Sequence, residues 1–363
     1  MSLKKFIHYF IFSFNVLVVV GVFLSYFTSF VPPSTTTFFS FFGLSYPLLL
    51  VSNLGFIAYW VIRKKKKVYV SIIVLILGGV QFFQFFQLPN YSKVESNENI
   101  KIMSYNVRLF DLYDWTKVKG IRGQIIELIN TENPDLICFQ EYYLRGNNAK
   151  LKKALSMDYA YENFTSKKTK KGVSTGIGTA IFSKYKIIAS GKVTFENDKA
   201  NHAIYVDVIK NKDTVRIYNA HLGSIRFDNE DYNFLKVDKS NISEADLIPF
   251  KKVLKRLKKG FIDRESQIET LISHVKKSPS PTVVATDMND TPVSYSYNQF
   301  NRVLQDSFTK KGSWTGSTYI GSMPFLRIDY LWHNSRVKTL SFKTIDKVLS
   351  DHRPIIGAFE IIE

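Results

Sequence analysis

The sequence predicts an α/β domain carried behind three transmembrane helices, and three observations carry that expectation. Residues 1–90 hold seven Lys or Arg and no Asp or Glu, and most of that stretch is apolar. From residue 100 onward, short apolar runs alternate with amphipathic, helix-like stretches. Six of those runs lead into Asp, Glu, Asn or His at or near their ends. Composition narrows the class further. A content of 45% hydrophobic and 15% aromatic residues excludes intrinsic disorder. The single cysteine, Cys138, excludes a disulfide scaffold. The net charge is +18, of which about +11 belongs to residues 91–363 once the N-terminal excess is removed.

The membrane domain is assigned to residues 1–88, with helices at about 6–31, 37–62 and 68–88. Each run approaches or exceeds the roughly 20 residues that span a bilayer core. Helix is the expected form because hydrocarbon cannot satisfy open backbone polar groups. The first run is too long for a signal peptide, and two more follow it. Pro47 can kink the second helix. Lys4 and Lys5 precede the first helix, the cluster Arg63 to Lys67 separates the second from the third, and the link around Pro32 to Thr36 is uncharged. The positive-inside rule therefore puts the cluster and the N-terminus in the cytoplasm, and three crossings put the rest of the chain on the extracytoplasmic side. Residues 89–99 are short and polar and read as a linker.

Residues 100–363 read as one α/β domain. Strands are predicted at 100–105, 136–139, 179–182, 203–209, 215–219, 282–285 and 328–332, and helices at 118–130 and 264–276. Pro134 stops the first of these helices. The strand beginning at Ile100 ends at Asn106, LICFQE at Glu141, VRIYNAH at Asn219 and His221, and TVVATDMND at Asp287 and Asn289. RIDYLWH carries Asp329 inside an apolar strand, and the closing VLSDHRP carries Asp351 and His352. Singly, each would be an ordinary turn former or helix cap. Six together, each behind a buried strand, point to a converging site. Their oxygen-rich chemistry suits Mg²⁺ or Mn²⁺ rather than zinc.

The ordered motifs SYNV, QE, NAHL, TDMN, RIDY and SDHRP resemble those of the endonuclease/exonuclease/phosphatase (DNase I-like) superfamily over the whole of residues 100–363. That superfamily includes DNase I-like nucleases, neutral sphingomyelinases and inositol polyphosphate 5-phosphatases. The resemblance implies a four-layer α/β sandwich and a metal-dependent hydrolase acting on phosphoester bonds. It implies metal-binding roles for Asn106 and Glu141, with Asp351 assisting. It implies that Asp287 and Asn289 handle the attacking water and the phosphoryl oxygens, that Asp329 orients His352, and that His221 contacts the scissile phosphate. Departures are modest: Thr286, Met288 and Ala220 replace residues more usual in the motifs, but every catalytic group is kept.

Four residues are candidate substrate contacts: Arg108, Arg226, Arg264 and Trp314. The three arginines suit bidentate contact with phosphate, and the tryptophan offers a stacking surface. An insertion at about 224–263 ends in a basic amphipathic stretch. Phe250, Val253, Leu254, Leu257 and Phe261 share one face of it, and lysines fill much of the rest. Such a helix either packs on the domain with a solvated lysine face, lies on anionic lipid, or accepts a nucleic-acid backbone. The expected function is a membrane-anchored, Mg²⁺-dependent phosphodiesterase, nuclease-like in type. A phospholipid- or sphingomyelin-type phosphodiesterase and a non-catalytic polyanion-binding module are the alternatives. The expected partners are the bilayer and a phosphoester substrate, either nucleic acid or a phospholipid head group.

Overall fold

The computed structural model describes residues 3–89, 99–170, 173–196, 198–224, 244–321 and 323–362. Helix α1 (Leu3–Phe27) and helix α2 (Phe38–Ile62) are each long and apolar enough to cross a bilayer. Large apolar side chains, among them Phe10, Leu17 and Val61, point outward from them. Such a surface is a liability in water and suits lipid. Inside the bundle a polar cluster joins the helices: Asn15 donates to the Ser71 hydroxyl, the Trp60 indole donates to Asn15, and Asn53 donates to the Ser71 carbonyl.

The third apolar run departs from the expected single helix. It forms α3 (Val68–Leu77) and α4 (Gly79–Phe85), which meet at 78°. The break falls at Gly78, where a Cβ would lie 1.9 Å from the ring of Tyr26. The Tyr26 hydroxyl, seated there, donates to the Val74 carbonyl at 2.8 Å. Gly78 therefore permits both the close approach of α1 and the bend.

Two six-stranded sheets form the center of the C-terminal domain. The first runs β11-β12-β1-β2-β4-β3 and the second β5-β6-β7-β8-β10-β9. Their strands are β1 (Ile100–Asn106), β2 (Leu136–Arg145), β3 (Tyr159–Lys170), β4 (Val173–Ser183), β5 (Ile187–Phe195), β6 (Asp198–Lys210), β7 (Asp213–His221), β8 (Thr282–Asp287), β9 (Gln305–Asp306), β10 (Asp329–His333), β11 (Val337–Thr344) and β12 (Ile355–Ile361). The sheets bury a shared core of Ile102, Leu136, Cys138, Ile204, Ile217, Val283 and Leu331. The outer face of the first sheet packs on α5 (Ile121–Glu132) and α6 (Ala149–Ala154) through Ile125, Ile129 and Leu151. The outer face of the second packs on α7 (Glu244–Lys276) and α8 (Tyr295–Asn301) through Ile268, Leu271, Tyr297 and Phe300. A short α9 (Ser307–Lys311) follows. The result is the expected helix–sheet–sheet–helix sandwich. Helix α7 is longer than expected, because the basic stretch at 250–261 and the helix at 264–276 are one continuous 33-residue element. Residues 225–243 of the insertion, with Arg226, lie outside the described residues.

The bundle and the sandwich touch at one end of α1 and α2. In the link between them, Ser29 donates to the Val293 carbonyl, and Ser34 donates to Glu265 through both its backbone amide and its hydroxyl. In α2, the Gly43 carbonyl accepts from Thr291, and Phe41 packs edge-on against Phe261 of α7. Val293 joins an apolar cluster that includes Val22, Tyr46 and Phe85. Arg327 donates to the Gln84 carbonyl, and Gln87 pairs with Trp314 in an isolated bridge. The basic cluster Arg63 to Lys67 follows the far end of α2.

Candidate active site

Strand pairing assembles the site before any side chain is considered. In the second sheet, His221 of β7 stands opposite Asp287 of β8, and Asp287 stands opposite Asp329 of β10. In the first sheet, Asn106 at the end of β1 stands opposite Gln140 of β2. All six residues of β8 are buried, so its apolar run delivers Asp287 to a desolvated position. A buried carboxylate requires partners, and Asp287 has several. The Asn106 amide donates to its Oδ2 at 2.9 Å, and the backbone N–H of Asn289 donates to its Oδ1 at 3.0 Å. Nε2 of His221 lies 3.7 Å and Nε2 of His352 3.8 Å from the same Oδ2.

Asp329, the acid inside an apolar strand, finds its partner in His352, whose Nδ1 lies 2.9 Å from its Oδ2. The Thr318 hydroxyl accepts from the backbone amides of Ile328 and Asp329 and holds the strand end in place. Burial alone would discharge the His352 imidazole. Asp329, and then Asp287, outweigh it and hold its pKa well above the usual histidine value. Burial, and then Asp329, raise the pKa of Asp287, while His352, His221 and Asn106 oppose the rise.

Glu141 lies beside this row, its Oε1 3.9 Å from Nε2 of His221. It sits at a bulge in β2, between Phe139 and Tyr142, with φ +46°. A non-glycine residue in the left-handed region is strained, and bulges re-aim side chains at functional sites. Asn289 is likewise left-handed, at φ +51°, and its amide donates to the Leu222 carbonyl. Asp351 meets Arg108 at 3.3 Å, and the Arg108 guanidinium stacks on Trp115. Burial raises the pKa of Asp351; Glu141 adds to the rise, and His352 and Arg108 oppose it.

The donor set suits a hard divalent cation at Glu141, Asp351 and the Asn106 side-chain oxygen. These are oxygen donors, and beside the burial of Asp351 the Glu141 charge adds to the rise in its pKa. Asp287, Asp329 and His352 also present ligand atoms within 4.8 Å of one another. That trio is a poorer cradle, because Nδ1 of His352 is engaged by Asp329 and a protonated imidazole has no lone pair to give.

Two expected substrate contacts lie elsewhere. Arg264 is buried, its Nε 3.2 Å from Asp290 Oδ2 and its Nη1 donating to the Gly223 carbonyl. It ties two loops together instead of facing a cleft. Trp314 is exposed and packs edge-on against Phe86 just after α4, and its backbone pairs with Gln87. It belongs to the bundle contact. Residues that sequence reasoning passed over also line the site. His202, opposite His221 on β6, borders a cavity of about 200 Å³ with Glu141, His221 and Thr179. Its Nε2 lies 2.9 Å from the Thr179 hydroxyl, and burial pushes its pKa down to about 4. Ser350 donates to the Asn106 carbonyl, joining the two ends of the domain. His202 comes to light only through the strand pairing that sets it opposite His221.

Comparison with known proteins agrees with this fold. Residues 103–247 match the model of the Endonuclease/Exonuclease/phosphatase family, and residues 7–85 match a Domain of unknown function (DUF8431). No curated protein sequence matches the chain. Among solved structures, an endonuclease/exonuclease/phosphatase from Beutenbergia cavernae shares 16% identity at TM-score 0.53, covering 73% of this chain and 72% of its own. The human Nocturnin catalytic domain with bound sulfate anion shares 16% at 0.52, covering 75% and 97%. Humanized D. rerio TDP2 shares 17% at 0.52, covering 73% and 100%. With the sandwich, the ordered motifs and the match at residues 103–247 in agreement, the C-terminal domain has the endonuclease/exonuclease/phosphatase fold, that of a family whose members hydrolyse phosphoester bonds.

Proposed function

We propose that this chain is a membrane-anchored, Mg²⁺-dependent phosphodiesterase, nuclease-like in type, organised as a membrane domain at 1–88, a linker at 89–99 and a catalytic domain at 100–363. The observation that carries the reading is the linked row Asn106–Asp287–His352–Asp329, with Glu141 and His221 facing it. Glu141, Asp351 and Asn106 would hold the cation. When bound, it would neutralise a phosphoryl oxygen and stabilise charge in the in-line transition state.

The remaining residues do the rest. Asp287 accepts a proton from the attacking water as its oxygen bonds to phosphorus, and the Asn289 amide positions that water without repelling it. His352, kept cationic by Asp329, and His221 donate hydrogen bonds to the phosphoryl oxygens. The bond from phosphorus to the leaving oxygen breaks opposite the water, that oxygen takes up a proton from solvent, and Asp287 then releases the proton it accepted. Arg108, held by Asp351 and Trp115 at the rim, contacts the substrate phosphate. The sulfate in the Nocturnin structure is a tetrahedral oxyanion of the kind this site would receive.

The catalytic domain is assigned to the extracytoplasmic side. Its contacts fall on the link between α1 and α2 and on the first turns of α2, whereas Arg63 to Lys67 follow the other end of α2. By the positive-inside rule the basic end is cytoplasmic, so the link and the domain docked on it lie outside. The bend between α3 and α4 is compatible with this, because the chain still returns from the basic cluster to the end where the domain docks. A reporter fused after Glu363 should be active only outside the cytoplasm, and cytoplasmic activity would reverse the assignment. For the chemistry, the full chain in nanodiscs should cleave a phosphodiester with Mg²⁺. Glu141→Ala should abolish turnover with its fold intact, and retained turnover would refute the site.

A further inference from the structure

The basic half of α7 meets the bundle where the bilayer surface would be. Phe261 packs on Phe41 in the first turn of α2, with ring centroids 5.5 Å apart, and Glu265 accepts two hydrogen bonds from Ser34 in the link. From that anchor α7 runs back toward Glu244. Lys251, Lys255 and Lys258 are exposed at spacings of four and three, and exposed Ile262 continues the same stripe to the end nearest α2. Val253 and Phe261 are buried on the inner face. Phe38, at the start of α2, is also exposed. One helix face thus presents three lysines and an isoleucine beside the first turn of an apolar helix.

We propose that this face of α7 lies on anionic lipid headgroups, holding the catalytic domain against the membrane surface. The proposal rests on the reading that α1 and α2 span the bilayer. Continuity with the bundle favours lipid over the other polyanion a basic helix can bind. A nucleic-acid backbone would have to enter between the helix and the bilayer, whereas headgroups already lie there. Lysine stems can rest on the acyl boundary while their ammonium groups reach phosphate, and Ile262 enters the interface beside Phe38.

The test uses the full chain in nanodiscs with a nitroxide at Ile262→Cys. The native Cys138 is fully buried and escapes labelling. Collision with a water-soluble relaxation agent is compared in phosphatidylcholine alone and in phosphatidylcholine with 30% phosphatidylglycerol. At least a threefold fall in collision rate is expected in the anionic discs, with no fall when Lys251→Glu, Lys255→Glu and Lys258→Glu are added. Equal rates in both lipids would overturn the proposal, leaving the lysines as a solvated face. A fall produced only by adding duplex DNA to neutral discs would overturn it in favour of nucleic acid. Release of the chain from vesicles by alkaline carbonate would instead refute the spanning reading beneath it. Turnover of a soluble phosphodiester by the triple Glu variant should stay at the parent level, which separates failure of this surface from failure of the site.

Discussion

Replacing Arg264 with Met distinguishes a substrate contact from a structural tie. Arg264 and Asp290 form an ion pair with side chains 1% and 9% exposed, and Arg264 also serves the Gly223 carbonyl. Methionine fills similar space but leaves the Asp290 carboxylate and that carbonyl without their donor. Breaking one partner of a buried pair costs about 3–5 kcal/mol. At about 2–4 °C per kcal/mol for a domain of this size, the unfolding midpoint should fall by roughly 6–20 °C. Circular dichroism of the full chain in detergent reads the midpoint, and kinetics well below it read kcat and KM. Adding Asp290→Asn should recover part of the loss, because no unpaired charge then remains. An unchanged midpoint with a raised KM would instead make Arg264 a substrate contact.

Asp329→Asn should leave the fold intact and lower kcat by about 10²–10⁴-fold, since His352 loses the carboxylate that orients and charges it; equal kcat would remove the pair from the mechanism. His202 carries a pKa pushed down to about 4 by burial, so the unfolded chain, near 6.5, binds a proton that the folded chain refuses. That stability is present above pH 6.5 and is lost as pH falls toward 4, by up to about 3 kcal/mol. His202→Gln should flatten the slope in denaturant titrations across that window. Asn15→Ala removes the acceptor of the Trp60 indole and the donor to Ser71, and should weaken the bundle by about 1–2 kcal/mol in detergent unfolding. A fragment beginning at residue 99 exposes Val293 and strips Thr291 and Ser34 contacts from the loop after Asp287 and from α7, so it should be less stable and less active than the full chain.

What the sequence made legible was what local pattern encodes. The run TVVATD reads as a strand because it is short, apolar and rich in β-branched residues, and its terminal Asp287 stands out against that background. Asp329 signalled a partner by being charged within RIDYLWH, and that partner is His352. The features that escaped depend on distant residues. The bend at Gly78 answers to the Tyr26 ring, 52 positions earlier, inside a run whose hydropathy is uninterrupted. Arg264 looks like any arginine on a basic helix until Asp290 is placed against it. Trp314 shows its role only once the chain folds back to set Phe86 beside it. The left-handed Glu141 carries no glycine to announce it, because the strain lies at a bulge that only strand pairing defines.

One converging set of residues is proposed to hydrolyse a phosphodiester with a divalent cation. The direct measurement is turnover by the full chain in nanodiscs, supplied with Mg²⁺, on single-stranded DNA, duplex DNA, RNA and phospholipid vesicles. It is run beside EDTA and beside Glu141→Ala and His352→Ala proteins of unchanged fold. Cleavage of one substrate class, abolished by EDTA and by both substitutions, is the predicted result. Cleavage that survives EDTA or either substitution, or metal binding with no cleavage of any phosphoester, would mean that these residues do not form a metal-dependent phosphodiesterase site.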